Sequence, residues 1–245
     1  MNNNENINVA ICYWGMTRST RFVYKSHEEK LFNVLKKDGI NFDVYIHTWK
    51  TDKNIIFGRE VETPIDNEEY KLLNPTEYKI DNQDDFLSSI KFSDYFYEEI
   101  YNKYGEGLNW EWDPRLLKNH LCALESQKRV TNMCVNSKKP YDFVIYVRPD
   151  ARIDDFFPVD CLDMDYVDEC YIAIPDFKHY EGYNDQCAIV PLKMCEKYAN
   201  RIDEIIEFRR ENGRIVSEKY TKFIVDKYFN TMNFINFNFE LVRPR

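Results

Sequence analysis

Residues 143–147, Phe-Val-Ile-Tyr-Val, form an unbroken apolar run between a Lys-Lys-Pro-Tyr turn and the polar stretch Arg148-Pro149-Asp150. A run this short and this sharply bounded fits a strand buried on both faces, as in parallel sheets covered by helices. Residues 7–13 (INVAICY) and 42–48 (FDVYIHT) read as two more buried strands. Between them, 19–37 reads as a helix, with Leu31, Val34 and Leu35 at helical spacing and Asp38-Gly39 as its stop. The order strand, loop, helix, strand opens a doubly wound sheet. The expected fold is therefore α/β: a single Rossmann-type domain over 1–245, its central sheet mostly parallel and flanked by helices. Open sheets of this kind hold ligands beyond the carboxyl ends of their strands. Asp150 lies at such an end, and so does the loop Trp14-Gly15-Met16-Thr17-Arg18. A strand running through a Gly-containing loop into a helix can cradle phosphate with backbone N–H groups, and is equally an ordinary strand-to-helix turn.

Charge and composition remove several classes. The formal net charge of −9 argues against non-specific nucleic-acid binding, which needs a basic footprint. The 7 cysteines are dispersed, odd in number and form no CxxC, so neither a zinc site nor a disulfide framework is expected. Reduced thiols point to the cytoplasm. The opening MNNNENIN is too polar for a signal peptide, and no apolar run approaches the ~18 residues of a membrane span.

The rest of the chain reads as alternating elements. Residues 51–92 are polar and irregular, with Pro64, Pro75 and an acidic patch at Asp81, Asp84 and Asp85. An amphipathic helix is expected over 94–104, from Tyr97, Ile100, Tyr101 and Tyr104. Residues 105–114 read as a loop; its Trp110 and Trp112 either anchor it to the core or stack on a ligand. The strongest helix is 115–136, where His120 and Gln127 interrupt a mostly apolar face. Beyond Asp150, 154–168 is acidic and irregular. Residues 171–174 form a short strand, and 176–182 a loop leading into Tyr183-Asn184-Asp185-Gln186. This polar cluster directly precedes the buried run 187–190, so its side chains must find partners. A helix over 191–210, a turn at 211–213, a helix over 217–228 and a half-exposed edge strand over 233–241 complete the chain.

Taken together, the sequence resembles nucleotide-sugar glycosyltransferases of the GT-A fold found in bacteria and large DNA viruses. The stretches that carry the resemblance are Gly15-x-x-Arg18, residues 42–49, Asn119-His120 with Ser126, and Tyr141-Asp142 through Arg148-Pro149-Asp150. Asn184-Asp185-Gln186, Ser217-Glu218 and a closing strand with Arg243 complete the set. The resemblance implies a transferase that moves sugar from a nucleoside-diphosphate donor to a glycan or other hydroxyl acceptor. It implies Asp150 as the acid of a DxD-type motif holding Mn²⁺ or Mg²⁺ at the donor diphosphate. Here the third position of that motif is Arg152, so either one carboxylate holds the metal with water and phosphate oxygens, or Arg148 and Arg152 partly replace it.

Glycosyl transfer needs a cation at the leaving diphosphate and a base at the acceptor hydroxyl. Asp150 with metal, Arg18 and Lys118 are candidates for the first. Asp185 is the candidate base, with Gln186 orienting sugar hydroxyls. Tyr13, Gly15, Thr48 and Trp49 are placed to hold the nucleotide, His120 to face the ligand, and His179 or Tyr180 to close over it. Two other readings stay open: a glycoside hydrolase pairing Asp150 with Asp185, and an inactive nucleotide-sugar- or carbohydrate-binding protein. The sugar, nucleotide, acceptor and oligomeric state are not readable.

Overall fold

The computed structural model describes residues 7–51, 66–99, 114–163 and 169–243. The strands, in chain order, are β1 (Asn8–Trp14), β2 (Asn41–Lys50), β3 (Glu77–Asn82), β4 (Phe143–Val147) and β5 (Ala151–Ile153), then β6 (Tyr171–Pro175), β7 (Cys187–Pro191), β8 (Thr231–Ile235) and β9 (Phe239–Leu241). The helices are α1 (Thr20–His27), α2 (Asn33–Lys37), α3 (Gln83–Ser89), α4 (Pro114–Asn136), α5 (Cys195–Ala199), α6 (Ile205–Asn212) and α7 (Ser217–Tyr228). A π-helical turn, Glu28–Phe32, joins α1 to α2, so the helix expected over 19–37 is one continuous rod.

Seven strands form the main sheet in the order β3-β2-β1-β4-β7-β6-β8, and all run parallel except β7. The expected sheet, mostly parallel and flanked by helices, is present. The chain steps outward from β1 through β2 and β3, then returns to the other side of β1 as β4. The junction of β1 and β4 is therefore the point where strand order reverses, and crevices for ligands open there.

Side chains alternate across the sheet. Ile11, Tyr13, Ile145, Val147 and Cys187 pack on one face with Leu31 and Leu35. Cys12, Trp14, Tyr146, Ala188 and Val190 pack on the other with Val130, Cys134, Tyr198 and Val225. Helices thus cover both faces, which is why β1 and β4 are apolar throughout rather than alternating.

Several expectations change. The segment expected as one helix over 191–210 is instead strand, 3-10 turn (Leu192–Met194), α5, a second 3-10 turn (Asn200–Glu204) and α6. Pro191 is the last residue of β7, opposite Phe143. The tighter 3-10 winding at Asn200–Glu204 turns Arg201 inward together with Ile202. The edge strand expected over 233–241 is two strands in different sheets. β8 borders the main sheet, whereas β9 pairs antiparallel with β5. The bend between them is held by Asp155, whose carboxylate accepts from Asn238 N at 3.0 Å and from Asn238 Nδ2 at 2.7 Å. The acidic patch divides by role. Asn82 caps α3, accepting from Asp84 N at 2.8 Å, so Asp84 and Asp85 occupy the first turn, where negative charge meets the helix dipole. The helix expected over 94–104 is not formed at its start, where a 3-10 turn, Phe92–Asp94, is followed by non-helical residues 95–97; its part beyond 99, and the readings of 1–6, of Pro64, of the loop with Trp110 and Trp112, and of 164–168, lie outside the described residues.

Candidate active site at the carboxyl edge of the sheet

The register decides which residues meet. Tyr13 pairs with Val147, and Val147 with Cys187. One residue beyond these pairs stand Trp14, Arg148 and Gln186, at the ends of three adjacent strands. Antiparallel β7 thus brings the Asn-Asp-Gln cluster, which precedes it in sequence, to the edge where parallel β1 and β4 end.

Around Asp150 the structure gathers three arginines. Arg148 grips the carboxylate with both Nε and Nη2, each at 2.8 Å, and its guanidinium lies 5.2 Å from the Trp14 ring centroid. Arg243 Nη1 donates to Oδ2 at 2.9 Å, and Arg18 Nη2 lies 3.5 Å from the same oxygen. Asp150 is fully buried. Burial alone would raise its carboxyl pKa, but the Arg148 and Arg18 guanidiniums overcome this and hold it below the usual carboxylate range.

This donor set does not fit a carboxylate-held divalent cation. A carboxylate offers about four lone-pair sites, and three of them already accept from Arg148 and Arg243, with the Arg18 charge beside them. Among the described residues, no group of three or more His, Cys, Asp or Glu side chains is placed to hold a metal. Arg152 is not part of the cluster. It lies on the exposed side of β5, where it pairs with Asp154 at 2.9 Å and Glu240 at 2.8 Å.

A second polar group lies across the same edge. Asn184 is buried and structural: its Nδ2 donates to Phe177 O at 2.9 Å, and its Oδ1 accepts from Gln186 N at 2.9 Å. Those bonds fix the turn that presents Asp185 and Gln186. Tyr183 N donates to Glu218 O at 3.0 Å, which ties the same segment to the first turn of α7. Glu218 also accepts from Ser217 Oγ at 2.8 Å. Burial first, then the negative charge of Asp185, push the Glu218 pKa up to about 7. His120 and Tyr198 also feel the charges of Asp185 and Arg201.

Several buried polar atoms have no hydrogen-bond partner: Trp14 Nε1, His120 Nε2, both amide atoms of Gln127 and Gln186 Oε1; the Arg201 guanidinium lies over the Tyr198 ring, 4.3 Å from its centroid, with Nε and Nη1 buried. Gln127 and Arg201 are each only 1% exposed. Buried polar groups are normally satisfied, so these orphans, on the end of β1, α4 and the turn before β7, are candidates to meet a polar ligand or water.

The first loop is supported from below. Gly15 has φ +95°, a conformation that favours glycine, and its N–H donates to Ser126 Oγ at 2.8 Å. Ser126 Oγ lies 2.7 Å from His47 Nδ1, and His47 Nε2 lies 3.1 Å from Asp81 Oδ2. Burial lowers the His47 pKa to about 4, so the ring is neutral. Ionised Asp81 can only accept, which fixes the proton on Nε2 and leaves Nδ1 an acceptor, so the Ser126 hydroxyl donates to His47, either to Nδ1 or to its carbonyl oxygen at 3.0 Å. The Ser-His-Asp order resembles a hydrolytic triad. Ser126, however, is fully buried and already bonded to Gly15, so the array positions the loop and does not attack substrate.

Other expected ligand residues face elsewhere. Tyr13 is fully buried, and its hydroxyl donates to His27 Nδ1 at 2.9 Å, while His27 Nε2 donates to Ala151 O at 2.7 Å. Trp49 is a core residue stacked on Phe86, with Nε1 bonded to Cys122 O at 2.9 Å. Thr48 is buried, with its hydroxyl unpartnered. Lys118 is exposed over Phe92, with Nζ 5.0 Å from the ring centroid. The sequence reading did not assign a role to Glu218, Arg201 or Arg243. Arg201 carries a signal, since it falls three residues after Tyr198 on the face expected to be apolar.

The buried histidines make the fold acid-sensitive. Burial lowers the pKa of His27, His47 and His120 to about 4. Between pH 6.5 and 4 the unfolded chain protonates these rings and the folded chain does not, so stability present above pH 6.5 is lost as pH falls. Glu218 acts in the opposite sense between about pH 4.5 and 7, because the folded chain holds a proton that the unfolded chain has released. Three groups outweigh one. Thermal unfolding followed from pH 7 to 4 is expected to show stability falling by on the order of 3 kcal/mol or more; a flat profile would contradict the neutral assignment.

No protein-family model matches the chain, and a search of curated proteins gives no match.

Proposed function

We propose that the protein is a GT-A-type glycosyltransferase that uses a nucleoside-diphosphate sugar. The observation that carries this reading is the carboxyl edge at the β1–β4 reversal. A cluster of guanidiniums lies there beside a carboxylate-bearing turn and a set of unsatisfied buried polar atoms. The guanidinium side suits the diphosphate of a donor, since planar N–H forks match phosphate oxygens. The side formed by Asp185, Gln186 and His120 mixes donors and acceptors, as a sugar's hydroxyls require.

In this reading Asp185 takes the proton from the acceptor hydroxyl as it attacks the anomeric carbon. Gln186 holds the sugar, and the leaving diphosphate gathers its charge at the arginines. A base acting opposite the leaving group gives inversion. Tyr180, 73% exposed on a loop pinned by the His179–Asp176 contact, is proposed to cover the bound substrates. Among the described residues no helix is long and apolar enough to cross a membrane. The proposed location is the cytoplasm.

The test is a thermal-shift screen of nucleotide-sugars, followed by assay of nucleoside diphosphate release with a panel of glycan acceptors. A shift with one sugar nucleotide, then acceptor-dependent release, is the expected result. Absence of any shift would sink the proposal. Glycoside hydrolysis is a second reading, favoured by Glu218 and Asp185 acting as a carboxylate pair with one member protonated near neutrality. Asp150, engaged by arginines, does not supply the second carboxylate. Cleavage of aryl glycosides without any nucleotide would favour this reading over transfer.

A further inference from the structure

We propose that Arg18, Arg148 and Arg243, aligned by Asp150, bind the donor diphosphate in place of a carboxylate-held metal ion. The proposal rests on the glycosyltransferase reading and specifies how its donor site works.

The three arginines come from distant parts of the chain. Arg18 follows β1, Arg148 follows β4, and Arg243 follows β9. Their meeting is enforced by backbone contacts. β9 pairs with β5, with Leu241 opposite Ala151. Val242 N donates to Asp150 O at 2.9 Å, and Ser19 Oγ donates to Val242 O at 2.7 Å. Thr20 Oγ1 donates to Pro149 O at 3.2 Å. The end of the chain is thereby fastened across the loop that follows β4 and the start of α1.

Asp150 accepts from Arg148 and Arg243 and lies 3.5 Å from Arg18. Its role is to order them. A buried carboxylate gripped by both nitrogens of Arg148 fixes that fork, and its second oxygen sets Arg243 and Arg18 beside it. Ordered arginines meet a diphosphate with little loss of side-chain freedom, and they need no further carboxylate to hold a cation. An aspartate that follows a strand and serves a metal would instead keep lone pairs directed at the ion and have other oxygen ligands near it. Here the carboxylate's partners are nitrogen donors.

The experiment is calorimetric titration of the full chain with inorganic pyrophosphate, uridine diphosphate and guanosine diphosphate. Each is measured once in EDTA and once with Mn²⁺. Expected is binding of at least one diphosphate in EDTA, with affinity within about threefold of that in Mn²⁺. R243Q, at a side chain 40% exposed, is expected to weaken it at least tenfold in a chain that stays folded by circular dichroism, with a lowered melting temperature because Asp150 loses one of its donors. R148Q should weaken it at least as much. Wild-type binding that appears only with Mn²⁺ would overturn the proposal while leaving the glycosyltransferase reading intact. Undiminished binding in EDTA in either arginine variant would overturn it as well. If no diphosphate binds in either buffer, the glycosyltransferase reading fails and this proposal fails with it.

Discussion

Asp185→Asn is expected to lower sugar transfer about 10³-fold while leaving donor affinity within about twofold of wild type. The substitution keeps size and hydrogen-bonding reach and removes only the ability to take a proton. Asn184, which holds the turn, is untouched, so the backbone that presents residue 185 stays in place. A loss confined to kcat identifies a group acting in the transition state rather than in donor binding. The same variant makes a second change. Glu218 loses the negative neighbour that, after burial, keeps its pKa near 7, so its titration should move toward lower pH. Carboxyl NMR of Glu218 in the two proteins reads this directly. Full transfer activity in Asp185→Asn would remove Asp185 from the chemistry. An unmoved Glu218 would show that the two carboxylates do not act on each other.

Gly182→Ala is expected to cost about 3 kcal/mol of stability and most of the transfer activity, with diphosphate binding retained. A Cβ at position 182 would lie 1.9 Å from Glu218 O and 2.2 Å from its carbonyl carbon. Both are backbone atoms of the first turn of α7, so neither can swing aside as a side chain would. The 179–186 segment would have to lift from α7, breaking the Tyr183 N to Glu218 O bond and drawing Asp185 away from Glu218. The arginine cluster, built on the β1, β4 and β9 ends, shares none of these contacts. Chemical denaturation and nucleoside-diphosphate titration of the same variant separate the two effects. Wild-type stability would mean that the close approach is not a requirement of the fold. Loss of diphosphate binding in a folded variant would mean that the two halves of the site are not independent.

Much of the scaffold is legible in the sequence because burial leaves a strong local mark. β1, β4, β6 and β7 are fully apolar over their central residues, and α4 shows its inward lines at helical spacing. Elements with a solvent-facing side are harder to read. β3, Glu-Tyr-Lys-Ile-Asp-Asn, is held by backbone pairing with β2 at the sheet edge and has no apolar run to announce it. β5 has only three residues and exists because β9 returns to pair with it. In the 191–212 stretch, the apolar spacing of a helix is present, but the chain alternates between 3-10 and α winding.

The same division holds for the site. By itself the sequence determined that Asp150, Arg148 and Arg18 lie at strand ends, and that Asp185 and Gln186 precede a buried strand. Those facts follow from short-range pattern. Only the tertiary structure decided that β7 runs antiparallel and so delivers Asp185 to the edge where β4 ends. It alone brought Arg243 back to Asp150, 93 positions away in sequence, and set Glu218 against the Asp185 turn. An aspartate after a strand reads identically whether its partners are a metal ion or guanidiniums. The difference lies in which distant side chains reach its lone pairs, and that is fixed by sheet order and register, not by neighbours in the chain.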